Sequence, residues 1–488
     1  MSGALISIAV VQVLTILVGL LRAKGLALLL GPADFGVAST IDQVVVTLVT
    51  FGGLALPFTA MKFMSHAHSQ GEASFQRIAS GFLRVLTGLG LVTALVASIV
   101  VVLFPTLFGA DLASYQTVMQ VAVLGVPSAL LLIFLVNTFA ASQRPAVGAA
   151  INLAGVAALG AAAVAGAWRG GLAGLYLASV VAAVVTSIVG MGYVARKLAV
   201  RWRTPHAGVL GELRAQPSIL TNAGTFYAAM CASTVAMLIL RTTVLGQLGA
   251  TAAGHLQAAF SLALTVGAVL QPVSNLVLVP LVNREAPAAD KCDSANKFAS
   301  QMMVLLLVGA LPVLVVPEIL MRLLFSSAFV SAASVLWLFV LWQCVFQLMY
   351  VYQQLLVGLD DILFVGVMSV AGFVAALTLG SPLVRWLGLG GVAIALAVGM
   401  TLTGVGLVVR LRVSHRCRIS RRVTWRFVGL LAIAAIAGVL FAGPTGLASD
   451  TIMARVAFVV AVLGATWLVL APEERDPRLW LSVVRPGE

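Results

Sequence analysis

The chain has 488 residues, of which 61% are hydrophobic and only 9% charged, with a formal net charge of +13 and a mean hydropathy of +1.10. That balance excludes an ordinary soluble domain, and the longest polar stretches (196–214, 283–297 and 410–426) are far too short to fold alone. The basic excess sits in short loops between apolar runs, where the positive-inside rule accounts for it, so nucleic acid is not expected as a partner.

Apolar runs of about 18 residues or more read as membrane-spanning helices. In chain order, about fourteen are predicted: 3–31, 36–63, 80–104, 117–139, 146–166, 172–194, 217–245, 252–282, 298–318, 330–356, 362–380, 388–409, 427–443 and 452–471. The first is longer than a ~30 Å hydrocarbon core requires, so a tilt, or a bend near Gly19 or Gly25, is expected. No basic n-region precedes it, so a cleaved signal peptide is not expected.

Orientation follows from the basic residues. With the N-terminus inside, all but Arg22, Lys24, Arg169, Arg241, Arg322, Arg385 and Arg455 of the 29 Lys and Arg fall in cytoplasmic loops or adjoining helix ends. Both termini are therefore predicted cytoplasmic. Cys231 and Cys344 lie in apolar spans, and Cys292 and Cys417 in short loops placed in the cytoplasm, so neither a disulfide framework nor a zinc site is expected.

The chain also repeats itself. Leu21-Arg22 matches Leu240-Arg241, Gly31 and Gly36 match Gly249 and Gly254, and Leu107-Phe108 matches Leu324-Phe325. Val147-Gly148 recurs as Val365-Gly366, Val156 to Leu159 as Val374 to Leu377, and Gly171 and Gly174 as Gly388 and Gly391. The offset stays at about 217 to 219 residues throughout, a constancy that similar composition alone does not produce. The predicted fold is thus an all-α polytopic membrane protein. Two parallel six-helix bundles (1–200 and 215–412) are related by an axis along the membrane normal, followed by an extra two-helix pair (425–472) and a cytoplasmic tail (473–488). Transporters of that design hold substrate between the halves and rock them.

The run Arg22-Ala-Lys-Gly-Leu-Ala-Leu-Leu-Leu-Gly-Pro-Ala-Asp-Phe-Gly36 resembles the opening of bacterial polysaccharide flippases of the multidrug/oligosaccharidyl-lipid/polysaccharide exporter (MOP) superfamily. So does the Leu-Phe-Gly turn at 107–109. The resemblance implies a Wzx-type O-antigen or exopolysaccharide flippase of the bacterial inner membrane. Such a protein moves undecaprenyl-pyrophosphate-linked oligosaccharide across the bilayer, with a polysaccharide polymerase and chain-length proteins as partners. The lipid II flippases and the drug/cation antiporters are relatives of that family.

Charges inside apolar spans are costly and are functional candidates by default. At 1.5 Å per residue, Arg22 lies roughly 13 Å and Lys24 about 10 Å from the Gly31 turn. Asp42 lies about 9 Å from Gly36, and Arg241 about 12 Å from Gly249. On one reading Arg22, Lys24 and Arg241 face a central cavity and hold the substrate pyrophosphate, for which the guanidinium fork is suited. On the other, Arg22 pairs with Asp42 while Lys24 and Arg241 snorkel to the headgroups. Asp42 is a candidate ion pair, or a carrier for a coupling H+ or Na+; no other cofactor and no metal is expected. Asn137, Gln271 and Asn275 are candidate sugar contacts, or interhelical hydrogen bonds. His255 is expected at an interface, and His66 and His68 lack a third ligand for a metal.

The seven arginines of 410–426 read as topology and attraction to anionic membrane lipid, with substrate capture as the sharper alternative. No Walker motif, nucleophile elbow or acidic catalytic pair is present, and predicted outer loops of about 12 residues or fewer leave no room for a catalytic domain. Transport without enzymatic activity is expected. A drug/cation antiporter of the same superfamily, or a membrane enzyme of polysaccharide assembly, remains as an alternative.

Overall fold

The computed structural model describes residues 2–200, 202, 217–268, 270–441 and 452–469. The described chain is helical, with no strand among these residues. In hydrocarbon every backbone N–H and C=O must be satisfied within the segment, and the helix does this without a partner. Nine described helices are long and apolar enough to cross a membrane, ten if one bent pair is counted as a span. Two of the nine are double. Helix α1 (Ser2–Gly53) folds at Gly31, and α6 (Pro145–Leu198) at Gly170 and Gly171. Fourteen predicted segments are therefore compatible with these helices.

The turn expected at Gly31 between the first two segments is present, and α1 keeps helical backbone at Gly19 and Gly25. The chain folds back at Gly31, whose φ of 70° only glycine adopts freely, with Pro32 opening the next leg. Gly25 instead packs on Val164 of α6.

Contacts group residues 4–254 into one compact unit and 255–488, with 1–3, into another, so residues 217–254 belong by contact with the first. In the first unit, α1 is followed by α2 (Leu56–Ser69), α3 (Glu72–Leu103), a 3-10 turn (Ala110–Tyr115), α4 (Gln116–Val123), α5 (Val126–Ala141), α6, α7 (Pro217–Leu248) and the start of α8 (Ala250–Ala268). Phe63, Met64, Phe82, Leu86, Phe134 and Phe139 form an apolar core among α2, α3 and α5. Leu91 and Leu95 of α3, and Val181 and Ile188 of α6, are more than half exposed. In a span, those faces meet lipid.

In the second unit, α8 passes into α9 (Leu270–Val273), a π turn (Ser274–Leu278) and α10 (Val279–Asn283). Then come α11 (Ala288–Val315), α12 (Pro317–Leu324), a 3-10 turn (Ser327–Ala332), α13 (Ala333–Gly358), α14 (Ile362–Leu387), α15 (Leu389–Ser414), α16 (Arg421–Phe441) and α17 (Ile452–Val469). His255 caps the 3-10 turn through the Ala328 carbonyl (3.0 Å) and Ser331 Oγ (3.2 Å), a structural role.

The sequence repeat has a backbone counterpart. Gly171 (φ 55°, ψ −139°) and Gly388 (φ 58°, ψ −136°) make the same elbow. Left-handed residues recur in step elsewhere: Gly31 and Gly249, Gln143 and Asp360, Ala199 and Arg416. After each Gly elbow the legs touch closely. A methyl on Gly174 would strike the Gly166 carbonyl, and one on Gly391 the Leu383 carbonyl.

The expectation of no disulfide is corrected: Cys292 and Cys417 are bonded, their Cα atoms 5.9 Å apart. The physical reason is tertiary. Asn296 Nδ2 donates to the Arg418 carbonyl (2.9 Å) and Tyr352 Oη to Asn296 Oδ1 (3.0 Å), which pins the linker before α16 against α11. Two cysteines 125 residues apart are thereby brought together. Cys231 and Cys344 remain thiols.

Candidate functional site

The predicted charges of the first unit converge because α1 is folded on itself. Arg22 stands nine residues before Gly31 and Asp42 eleven after it. A fold at Gly31 therefore sets them at nearly equal depth on adjoining legs. Arg22 Nη2 lies 3.7 Å from Asp42 Oδ2. At that distance it is an ion pair rather than a hydrogen bond. The two side chains keep 37% and 47% of their surface accessible, so the pair is not sealed in packing.

Two further helices complete the cluster. The elbow at Gly171 returns α6 so that buried Tyr176 reaches the second leg of α1. Its hydroxyl lies 2.7 Å from the Ala38 carbonyl and 2.9 Å from Asp42 Oδ1. A phenol has one proton, so the two acceptors share it. From α7, Arg241 enters at only 5% exposure; its Nη1 donates to the Ser39 carbonyl (3.4 Å), and it is within electrostatic reach of Asp42. Gln43 Nε2 and Thr47 Oγ1 both donate to the Thr234 carbonyl, and Tyr227 Oη to Phe51, which fastens α7 along the same leg of α1.

Two guanidinium groups therefore flank one carboxylate, leaving the cluster cationic. Arg22 also faces a crevice of about 360 Å³ lined by Asn137 and Asn152. Its stem lies on Gly160, and Arg22 Nε is buried with no hydrogen-bond partner among the described residues. A guanidinium nitrogen without a hydrogen bond, next to two amides, suits an anion carrying hydroxyl groups.

The other candidates separate. Asn137 belongs to the crevice, with its Nδ2 held by the Pro57 carbonyl at 2.8 Å. Lys24 is half-buried and sits two residues on from Arg22, about 200° around the helix, so it presents a different face. Gln271 belongs to the second unit and bonds Tyr350. The Asn275 side chain lies outside the described residues, although its backbone is in the π turn, a distortion frequent at functional sites. Among the described residues no metal-ligand cluster exists.

Tyr176 and Asn152 were not among the sequence candidates. A tyrosine inside an apolar span had to find a hydroxyl partner, and that is the signal for the first. Asn152 differs from Asn137 in nothing visible in the sequence.

A family model described as "Polysaccharide biosynthesis protein" matches residues 4–285. No curated protein matches the chain. Among solved structures, the chain resembles the lipid II flippase MurJ in an inward closed conformation (12% identity, TM-score 0.65, 95% of this chain and 97% of that one). It also resembles an inward-facing multidrug resistance MATE transporter of the MOP superfamily (14%, TM-score 0.60, 88% and 99%). A third is a MOP superfamily transporter from Pyrococcus furiosus, described as having a binding pocket of reverse polarity (12%, TM-score 0.58, 88% and 96%). At these identities the likeness is one of fold.

Proposed function

Since the chain belongs to the polysaccharide biosynthesis protein family, matched over residues 4–285, we propose that it is a flippase for undecaprenyl-pyrophosphate-linked oligosaccharide in the bacterial inner membrane. One observation carries the reading: Arg22 and Arg241 flank the single carboxylate of Asp42 inside the membrane span, and Arg22 opens on a crevice with two amides. Net positive charge at that depth is costly unless an anion visits it.

In this mechanism the pyrophosphate displaces Asp42 as the partner of Arg22. At 3.7 Å the pair is too long for a hydrogen bond, which leaves Arg22 free to take a closer anionic partner. Arg241, buried and tied to α1, stabilises the charge without moving. Asn137 and Asn152 meet sugar hydroxyls, Lys24 adds attraction, and the polyprenyl chain stays in lipid. Alternating access then exposes the substrate to one face of the membrane and the other in turn. Asp42, released, takes up a coupling H+ or Na+. Both termini lie in the cytoplasm, and a polymerase receives the product. A cation exporter would need the opposite charge balance in the cluster.

The deciding experiment is the leaflet in which lipid-linked oligosaccharide accumulates in a strain lacking the protein. Build-up on the cytoplasmic side, unrelieved by Arg22→Ala, supports the reading. Unjoined units on the outer side would indicate a polymerising enzyme, and drug sensitivity with normal polysaccharide an antiporter.

A further inference from the structure

Far in the sequence from Arg22, the second unit holds a groove of about 860 Å³ between α11, α12 and α17, within the size range of small-molecule sites. Its walls are apolar, with Val308 and Leu311 from α11 facing Val456 and Val460 from α17. Val308, Val456 and Val460 are more than half exposed, so the groove opens on whatever surrounds the spans, which is hydrocarbon.

Charge is confined to one end. Glu318, Arg322 and Arg455 line it there. Helix α11 begins beside the arginine-rich linker, where Asn296 holds Arg418, and ends at Val315 next to this mouth. The mouth therefore lies at the bilayer face opposite the 410–426 loop. Arg455 Nη1 is committed to Glu318 Oε2 (3.2 Å) and the Val315 carbonyl (2.9 Å), and its guanidinium lies over Phe441. That pair cancels one positive charge. Arg322, exposed at the rim, supplies a net positive charge at the headgroup level.

An apolar slot along a helix, open to lipid and ending in a guanidinium at the interface, matches an amphiphile with one chain and an anionic head. We propose that this groove is a binding site for an anionic phospholipid of the leaflet opposite the arginine-rich loop. One acyl chain lies between α11 and α17, and the phosphodiester meets Arg322. Helix α17 is fixed to the bundle at its charged end through Arg455, and the acyl chain packs on the apolar walls that Val308 and Val460 line. None of the residues of the Arg22 cluster takes part, so the site stands or falls independently of the transported substrate.

The test uses the purified full chain in detergent. Dioleoyl phosphatidylglycerol or dioleoyl phosphatidylcholine is added, and native mass spectrometry counts the lipid retained. Phosphatidylglycerol should be retained in preference to phosphatidylcholine. Arg322→Ala should weaken its retention about fivefold, the effect of one basic side chain near a charged headgroup, and Arg322→Lys should restore it. Val460→Trp, at an exposed position, plugs the groove without altering charge and should lower retention of both lipids, so the test stands even if Arg322→Ala fails to accumulate. Equal retention of the two lipids would overturn the proposal. So would indifference to both Arg322→Ala and Val460→Trp, or preferential occupation by undecaprenyl phosphate at equal concentration.

Discussion

Arg22 and Asp42, twenty residues apart on one helix, face each other at 3.7 Å because the helix is folded at Gly31. Everything proposed for the site depends on that fold. Arg22→Ala should therefore lower polysaccharide export at least tenfold, since a charge-assisted hydrogen-bonding set contributes about 1.5–3 kcal/mol. Membrane levels of the protein should stay near normal, because the pair it breaks is accessible. Arg22→Lys should recover part of the activity, as an ammonium keeps the charge but loses the fork. Export and protein level measured in the same cells check this.

Tyr176→Phe removes one hydroxyl from two acceptors. The Ala38 carbonyl loses a buried partner, and the stability of the purified protein should fall by about 1 kcal/mol. Asp42→Asn alone and the double variant complete a cycle. Because Tyr176 and Asp42 touch, the effects on transport should be non-additive. Additive effects would mean that the phenol serves only the backbone.

Much of this was legible in the residues. Membrane spans, the repeat register and the candidacy of Arg22, Asp42 and Arg241 follow from apolar run length and the cost of intramembrane charge. The fold point of α1 was readable too, for Gly31-Pro32 is a breaker pair between two apolar runs. What periodicity does not carry is rotation. Helices this apolar all round give little sign of which face turns inward, so Tyr176 and Asn152 stayed hidden while Lys24 looked equivalent to Arg22. The Cys292–Cys417 bond was hidden for a related reason: it depends on Asn296 and Tyr352 docking a linker from far along the chain.

Gly254 meets Pro32 so closely that an added methyl would overlap the Pro32 carbonyl. Gly254→Ala should destabilise by about 1–3 kcal/mol, as overpacking does, and reduce the amount of folded protein. Gly224→Ala, on a helix face with open space around it, should be neutral. Detergent-resistant fluorescence of a tagged protein distinguishes the two.

At the turn before α14, Arg410 makes two hydrogen bonds to Asp361 (2.6 and 3.1 Å), and His415 adds a third at 3.1 Å. The Arg410 hydrogen bond is the main reason the Asp361 carboxyl is held below its usual range. A depressed pKa means that the unfolded chain binds the proton more readily. The contribution is thus complete above the unfolded value of about 4 and is lost as pH falls through the lower, folded value. The acid limb of the stability curve should shorten in Asp361→Asn, with the two curves converging at low pH. Thermal midpoints between pH 3 and 7 test it.

Cys292 and Cys417 sit where the arginine-rich linker meets α11. If that face is cytoplasmic, the reducing compartment should hold both as thiols, and the purified protein should close the bond in air. Maleimide labelling in intact cells, before and after oxidation, should show two reactive sites appearing and disappearing together. A bond already closed in freshly lysed cells would place the linker on the other side.

The elbows at Gly171 and Gly388 mark a polypeptide copied and joined to itself, yet the copies have parted in chemistry. In the register of Gly31 and Gly249 Asp42 corresponds to Phe260, and in the register of the two elbows Tyr176 corresponds to Ala393. Arginine survives in both, as Arg22 and Arg241, whereas acid and phenol survive in the first alone. The two copies therefore no longer supply the same chemistry: the carboxylate and the phenol that meet at 2.9 Å both come from the first, and the second contributes only the guanidinium held against Ser39.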